Sequence, residues 1–217
     1  MNENKKSKLI QKILNQTYPK TSIPLKHTNK FTLLVSVLLS AQCTDVNVNN
    51  VTKNIYPKYN KPEHFAKLGR KKIEILIKKI GLFRVKAKSV YLMSKLLIKN
   101  HGGRVPNSFE ELEKLPGVGH KTASVVMSQG FGQPAFPVDT HIHRLAQRWG
   151  LTNGKNVVQT ENDLKKLFPE KSWNKLHLQM IYYGREYCKA RDCYGIGCKI
   201  CTACYPNRRK KIKTIKA

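Results

Sequence analysis

The sequence predicts an all-α fold. Apolar residues recur at helical spacing in most segments of the 217-residue chain, and no segment sustains the apolar–polar alternation of a β-strand. Glycine and proline residues interrupt this pattern at short intervals, so the loops between helices are predicted to be short. Hydrophobic residues make up 40% of the chain, which is enough for a folded core and excludes a wholly disordered protein.

Helices are predicted along the whole chain. Residues 3–16 place apolar side chains at helical spacing. Residues 30–42 are apolar on nearly all sides, which predicts a buried central helix. A short helix is predicted to end near Lys114. The remaining predicted helices span residues 45–56, 71–80, 84–99, 120–130, 140–149, 157–168 and 172–187.

The chain is strongly basic, with 41 lysine and arginine residues against 13 acidic residues and a net charge of +28 at pH 7. Charge of one sign opposes a compact fold, so such an excess indicates a polyanionic partner. Residues 66–99 hold eleven basic residues and one acidic residue, and the tail after Cys204 holds six basic residues and no acidic one. Both regions are predicted to bind the phosphate backbone of a nucleic acid; the alternative is a basic surface that contacts only solvent.

Membrane and secretory classes are not favoured by the sequence. The longest apolar stretch, Phe31 to Cys43, is shorter than the about 20 residues that a membrane-spanning helix needs. The first residues lack the apolar region of a secretory signal. We therefore expect a cytoplasmic, nucleoid-associated protein without a membrane partner. Its clustered cysteines are then predicted to bind metal before they form disulfides.

The most informative local pattern is the segment Leu115-Pro-Gly-Val-Gly-His-Lys-Thr-Ala123. A glycine-rich turn is predicted to join the short helix that ends near Lys114 to a new helix that begins near Gly119. The first amide groups of a helix lack intrahelical acceptors and carry the positive end of the helix dipole, so an anion such as a DNA phosphate can bind there. A plain turn between two helices is the alternative.

This segment closely resembles the helix-hairpin-helix of the endonuclease III family of DNA glycosylases. Four other segments resemble motifs of the same family, in the family order. They are Leu39–Asp45 (LSAQCTD), Gly81–Ala87 (GLFRVKA), Val138–His141 (VDTH) and Gly184–Cys188 (GREYC). Because the matches run along nearly the whole chain, they are more specific together than any one of them is alone.

The resemblance implies two helical lobes with a DNA cleft between them. Residues 22–132 would form the helical domain that contains the hairpin. Residues 1–21 and 133–217 would form the second lobe, with a cysteine cluster (iron–sulfur) and the basic tail.

The resemblance also implies two catalytic residues. Lys121 matches the position of the nucleophilic lysine, whose neutral amine can attack the sugar and form a Schiff base. Asp139 matches the second catalytic position, where a carboxylate can stabilise a positively charged sugar. Without the resemblance, Lys121 would be interpreted as a phosphate contact or a solvated charge, and Asp139 as a helix N-cap.

Further residues are implied to contact DNA. An enzyme that acts on a base within a duplex must flip the nucleotide out and fill the space that it leaves. Gln42 resembles the residue that fills this space, and Leu82 resembles the apolar wedge between base steps. The alternatives are a helix-end glutamine and a core leucine. The hairpin residues implied to bind the DNA backbone are Gly117, Val118, Gly119 and His120.

Five of the six cysteines lie within 17 residues, a density that predicts a metal site holding either a [4Fe–4S] cluster or zinc. The family resemblance favours the cluster. The family spacing is C-x6-C-x2-C-x5-C, whereas this chain has C-x4-C-x4-C-x2-C-x2-C. We prefer as ligands Cys188, Cys198, Cys201 and Cys204, with Cys193 as the alternative to Cys188. Zinc, or a lost or partial cluster, remains the alternative cofactor state.

The predicted function is therefore that of a bifunctional DNA glycosylase and AP lyase in base excision repair. It would excise oxidised pyrimidines from double-stranded DNA and nick the abasic site by β-elimination through a lysine Schiff base. We expect a monomer. The alternatives are a non-catalytic DNA-binding helix-hairpin-helix protein and a monofunctional glycosylase that leaves the strand whole.

Overall fold

The computed structural model describes all 217 residues and contains helices but no β-strand, which confirms the all-α prediction. The chain divides into two compact units, one formed by residues 1–22 and 134–217 and the other by residues 23–133. A single 3-10 turn spans Glu170–Ser172. The α-helices are α1 (Glu3–Thr17), α2 (Lys30–Ser40), α3 (Asp45–Thr52), α4 (Pro62–Leu76), α5 (Phe83–His101), α6 (Phe109–Glu113), α7 (His120–Gly130), α8 (Thr140–Trp149), α9 (Val157–Leu167), α10 (Trp173–Glu186) and α11 (Lys199–Cys204).

Helix α2 is the centre of the unit formed by residues 23–133. Asn29 and Thr32 form a capping box that fixes where the helix begins. Every residue from Phe31 to Leu39 is buried, as the continuous apolar pattern predicted. The helix packs against α3 and α7, so it carries the loop after Ser40 and supports the hairpin from the same core.

Helix α4 differs from the predicted helix over 71–80. It begins at Pro62, whose fixed φ suits the first helical position, and it bends at Gly69, which has a φ of +73°. Regular helix then ends at Leu76, before the two lysines that the prediction included. The sequence pattern obscured this because apolar residues continue through Ile77 and Ile80, which are both buried in turns.

The unit formed by residues 1–22 and 134–217 has its own core. Helix α1 packs against α10, and the Gln179 side chain donates hydrogen bonds to the carbonyl oxygens of Leu14 and Tyr18. The Trp149 and Tyr183 rings pack edge to face, with centroids 5.7 Å apart. Both aromatic side chains are essentially fully buried, so they anchor α8 and α10 beside the cysteines.

No helix of the chain combines the length and the apolar character that spanning a bilayer requires.

Candidate active site and four-cysteine site

The hairpin is formed by α6, the turn 114–119 and α7. Gly117 has a φ of +82°, and a Cβ atom there would lie 2.8 Å from Ser89 Cβ and 3.1 Å from Leu38 Cδ1. Glycine is therefore required both by the backbone conformation and by the close approach to α2 and α5. Val118 is buried, so its side chain anchors the turn.

The N-terminus of α7 has no side-chain cap. Gly119 is the N-cap residue, and it provides no side-chain hydrogen bond to the first amide groups of the helix. The amide groups at such a helix end can donate hydrogen bonds to a bound anion. His120, the first residue of α7, lies with Nδ1 2.8 Å from Glu113 Oε1 and stacks on the Phe109 ring. These contacts join the two helices of the hairpin.

Lys121 is the second residue of α7 and its side chain is exposed. Glu113, the acidic residue that ends α6, contacts His120. The structure thus presents the Lys121 amine on the outside of the hairpin, where a ligand can reach it.

Asp139 lies at the start of α8, in the other unit. Its Oδ1 accepts a hydrogen bond of 2.9 Å from the backbone N–H of Ile142, which confirms the N-cap interpretation. The preceding residues Phe136–Val138 are buried, so the position of the carboxylate is fixed from both sides.

The structure brings the Gln42 and Leu82 loops together. A Cβ atom on Gly81 would lie 3.7 Å from the carbonyl oxygen of Gln42. Gln42 and Leu82 both have positive φ, 52° and 58°. This conformation is uncommon and costly for residues other than glycine, and it persists only where the surrounding contacts enforce it. The Leu82 side chain is 57% exposed, so it is not the core leucine of the alternative interpretation.

Two residues that the sequence analysis did not identify as positioning residues hold these loops. Lys86 is buried, and its Nζ donates hydrogen bonds to the carbonyl oxygens of Leu39 and Ala41, at 2.9 and 2.6 Å. Burial lowers the pKa of Lys86 below its usual value. Asn47 Nδ2 donates to the carbonyl oxygen of Lys79, 3.1 Å away. Side chains of α3 and α5 thus fix the segments that present Gln42 and Leu82.

Lys86 is also the exception among the basic residues of 66–99. The other ten are exposed, as a surface for a polyanion requires. The sequence analysis counted Lys86 with these surface residues. Its structural role was not visible there, because the carbonyl groups that Lys86 contacts lie more than forty residues away in sequence.

The basic tail follows the surface of the unit that contains α8. The Ile212 amide donates to the Tyr194 carbonyl oxygen, and Ile215 exchanges two hydrogen bonds with the Gln147 side chain. Arg208 donates to the carbonyl oxygens of Arg148 and Gly195. Arg208 is therefore a structural residue rather than a free charge. The remaining basic residues of the tail are exposed.

Four buried thiols meet between α10 and α11. Cys188 Sγ lies 3.3 Å from Cys193 Sγ and 3.8 Å from Cys201 Sγ, and Cys193 and Cys201 are 3.7 Å apart. With Cys198, the four sulfur atoms all lie within 4.8 Å of one another. This set can hold a metal, as the sequence predicted.

The group of thiols that lie together differs from the ligand set that we preferred. Cys193 lies in the group, and Cys204 does not. Tyr194 and Gly195 both have positive φ, 49° and 83°, and this tight turn reverses the chain and brings Cys193 to Cys188. Cys204 is a separate buried thiol, whose pKa burial raises to about 11. Gly195 permits this turn, but a glycine between cysteines does not by itself show which thiols the turn brings together.

Comparison with known proteins places this architecture in a family. The model of the HhH-GPD superfamily of base excision DNA repair proteins matches residues 35–170. Endonuclease III of Bacillus subtilis (strain 168) is 40% identical over 201 residues, which are 92% of each chain. Endonuclease III of Escherichia coli (strain K12) is 40% identical over 191 residues, 88% of this chain and 90% of that one.

The chain belongs to the endonuclease III family of the HhH-GPD superfamily. The structure of a trapped endonuclease III–DNA covalent intermediate superposes with a TM-score of 0.86 at 37% identity, and the match covers 94% of this chain and 99% of that one. A thermostable thymine-DNA glycosylase superposes with a TM-score of 0.79 at 25% identity.

Membership of the endonuclease III family confirms the resemblance found in the five motifs. It makes the chain a DNA-binding enzyme of base excision repair, in the DNA glycosylase and AP lyase class. The cysteine spacing departs from the endonuclease III pattern in two places, between Cys188 and Cys198 and between Cys201 and Cys204.

Proposed function

We propose that the chain is a bifunctional DNA glycosylase and AP lyase that excises oxidised pyrimidines from duplex DNA and then nicks the abasic site. The observation that carries the proposal is the exposed Lys121 amine, in the first turn of α7 and directly after a helix N-terminus that has no side-chain cap. A phosphate bound at that N-terminus would place the DNA backbone beside an amine nucleophile.

In the proposed reaction, the neutral Lys121 Nζ attacks C1′ of the flipped nucleotide. The bond between C1′ and the base breaks, and the base leaves with the bonding electrons and gains a proton. The nitrogen loses a proton and the sugar ring opens, which gives a Schiff base between Nζ and C1′. Loss of a proton from C2′ then expels the 3′ phosphate, so the strand is cut by β-elimination. Bound DNA and the neighbouring bases would supply the desolvation that favours the neutral amine.

Asp139 is proposed to act as a carboxylate in this reaction. One of its oxygens accepts the Ile142 amide, which fixes the group, and the other oxygen remains to face the substrate. A fixed negative charge stabilises the positive charge that develops on the sugar when the base departs. The N-cap bond and the catalytic role are compatible because they use different oxygens.

Gln42 and Leu82 are proposed to enter the DNA stack. Their loops are adjacent, and the exposed Leu82 side chain can separate a base step while the Gln42 amide meets the base left without a partner. The exposed basic residues of 66–99 flank Leu82 in sequence and would bind the phosphates around the opened step.

Base release and strand cleavage on defined duplexes test the proposal. A duplex with a single thymine glycol is expected to lose the base and to be nicked, whereas an undamaged duplex stays intact. Base release without nicking would indicate a monofunctional glycosylase. Binding with neither reaction would indicate a non-catalytic DNA-binding protein. Nicking of an oxidised-purine duplex in preference to the thymine-glycol duplex would contradict the proposed substrate class.

The Lys86→Met variant is expected to unfold about 1–3 kcal/mol more easily, because the Leu39 and Ala41 carbonyl groups lose their buried donor. It is also expected to raise KM for damaged DNA, since the segment that presents Gln42 loosens. Thermal unfolding and steady-state incision measure the two effects. Lys12→Met, which removes an exposed lysine from α1, outside the basic residues of 66–99, is the control and should change neither quantity by a comparable amount.

Replacing the exposed basic residues of the tail by serine, with Arg208 kept, is expected to weaken binding of damaged and undamaged duplexes by the same factor. Phosphate contacts carry no sequence information, and the slope of log affinity against log salt should fall by about 0.9 for each phosphate that is no longer neutralised. The control variant replaces Lys5, Lys8 and Lys12, which are exposed on α1. An equal weakening of binding in that control would mean that the tail has no particular role.

A further inference from the structure

The four-cysteine site has the dimensions of a site for one metal ion. Thiolates that share an ion through bonds of about 2.3 Å lie about 3.8 Å apart in a tetrahedron and cannot lie more than about 4.6 Å apart. The distances of 3.3, 3.7 and 3.8 Å that join Cys188, Cys193 and Cys201 lie below this limit. Cys198 completes a group whose sulfur atoms all lie within 4.8 Å of one another, close to the same limit.

A [4Fe–4S] cluster does not fit this spacing. In such a cluster each thiolate binds a different iron and points outward from it. The distance between two thiolate sulfur atoms then includes the distance between their two irons, so it is larger than in a site for one ion. The thiols would have to move apart together, and they lie on backbone that is held in place. Arg148, itself buried, donates to the carbonyl oxygens of Cys188, Lys189 and Ala190.

Other contacts hold the remaining ligands. Arg208 donates to the Gly195 carbonyl oxygen in the turn after Cys193. On α11, the amide of Cys201 points at Cys198 Sγ, 3.5 Å away, and the amide of Ile200 donates to the Tyr183 hydroxyl. Arg148 Nη1 also lies 3.4 Å from Cys188 Sγ and offsets the negative charge of the thiolates. Such surrounding bonds fix ligand positions and so select the geometry of the metal site.

We propose that Cys188, Cys193, Cys198 and Cys201 hold a single tetrahedral zinc ion in place of an iron–sulfur cluster, and that Cys204 is not a ligand. A closed set of four thiolates with no open position is typical of structural zinc. The ion joins the end of α10 to the start of α11 and takes no part in the reaction. The cysteine spacing of this chain would then differ from the family spacing because the site binds a different metal.

The test is the metal content of the full chain, purified without chelator from cells supplied with both iron and zinc. We expect about one zinc per chain, no visible absorbance, and an X-ray absorption spectrum with about four sulfur neighbours at ~2.3 Å and no metal–metal scattering. Iron at several atoms per chain with broad visible absorbance would overturn the proposal, as would a single bound iron.

Two variants test the ligand set. Cys193→Ser is expected to lose most of the zinc, and Cys204→Ser is expected to keep it. Zinc retained by Cys193→Ser but lost by Cys204→Ser would overturn the assignment. If Cys193→Ser does not fold, loss of the zinc from Cys204→Ser alone would overturn the assignment. Strand nicking is scored separately on the same preparation, so failure of the metal proposal and failure of the proposed function are distinguishable.

Discussion

The Lys121→Ala variant is expected to lose AP-site incision by about a thousandfold or more, because it removes the atom that forms the covalent intermediate. Borohydride should no longer trap a protein–DNA adduct. Binding to an uncleavable duplex should change little, since the backbone amides of the hairpin remain. Single-turnover incision and a binding titration measure these effects separately.

Lys114→Ala is the control for this variant. Lys114 is an exposed lysine at the end of the preceding helix, paired with Glu110 and Glu111. Its loss should leave the incision rate close to that of the unaltered chain. If Lys121→Ala incises as fast as Lys114→Ala does, the lysine mechanism is wrong.

The second large effect is expected at Asp139, where two substitutions separate the structural role from the chemical one. In the Asp139→Asn variant the side-chain oxygen would still accept the Ile142 amide, because asparagine is as good an N-cap as aspartate. This variant should therefore keep its stability while incision falls about a hundredfold, since the negative charge beside the sugar is lost. Asp139→Ala should lose the charge and in addition about 1 kcal/mol of stability.

Denaturant unfolding and single-turnover incision distinguish these roles. An Asp139→Asn variant that cleaves at the full rate would show that the carboxylate is only an N-cap. If the same variant unfolds as easily as Asp139→Ala, the side-chain oxygen at position 139 does not stabilise α8 through the Ile142 amide as the structure indicates.

Much of the architecture followed from local patterns. The continuous apolar character of residues 30–42 predicted the buried helix α2, and the glycines of 115–123 predicted the hairpin, because these features depend on neighbours in sequence. The N-cap role of Asp139 was predictable for the same reason. Lys121 was singled out by its place in the motif, and the structure adds that it is exposed.

Features that depend on distant contacts were not predictable. The burial of Lys86 depends on two carbonyl groups at the end of α2, so composition counted it as one more surface charge. The positive φ of Gln42 and Leu82 has no glycine to mark it in the sequence. Cys193 joins the other thiols only because the chain turns at Tyr194, and counting residues between cysteines does not show where a chain turns.

The measurement that tests the account most directly is peptide mapping of the borohydride-trapped complex with a thymine-glycol duplex. After digestion of the protein and the DNA, mass spectrometry should find the reduced sugar remnant on the peptide that contains Lys121, attached at that side chain. A remnant on the N-terminal amine or on another lysine would contradict the assignment of Lys121 as the nucleophile.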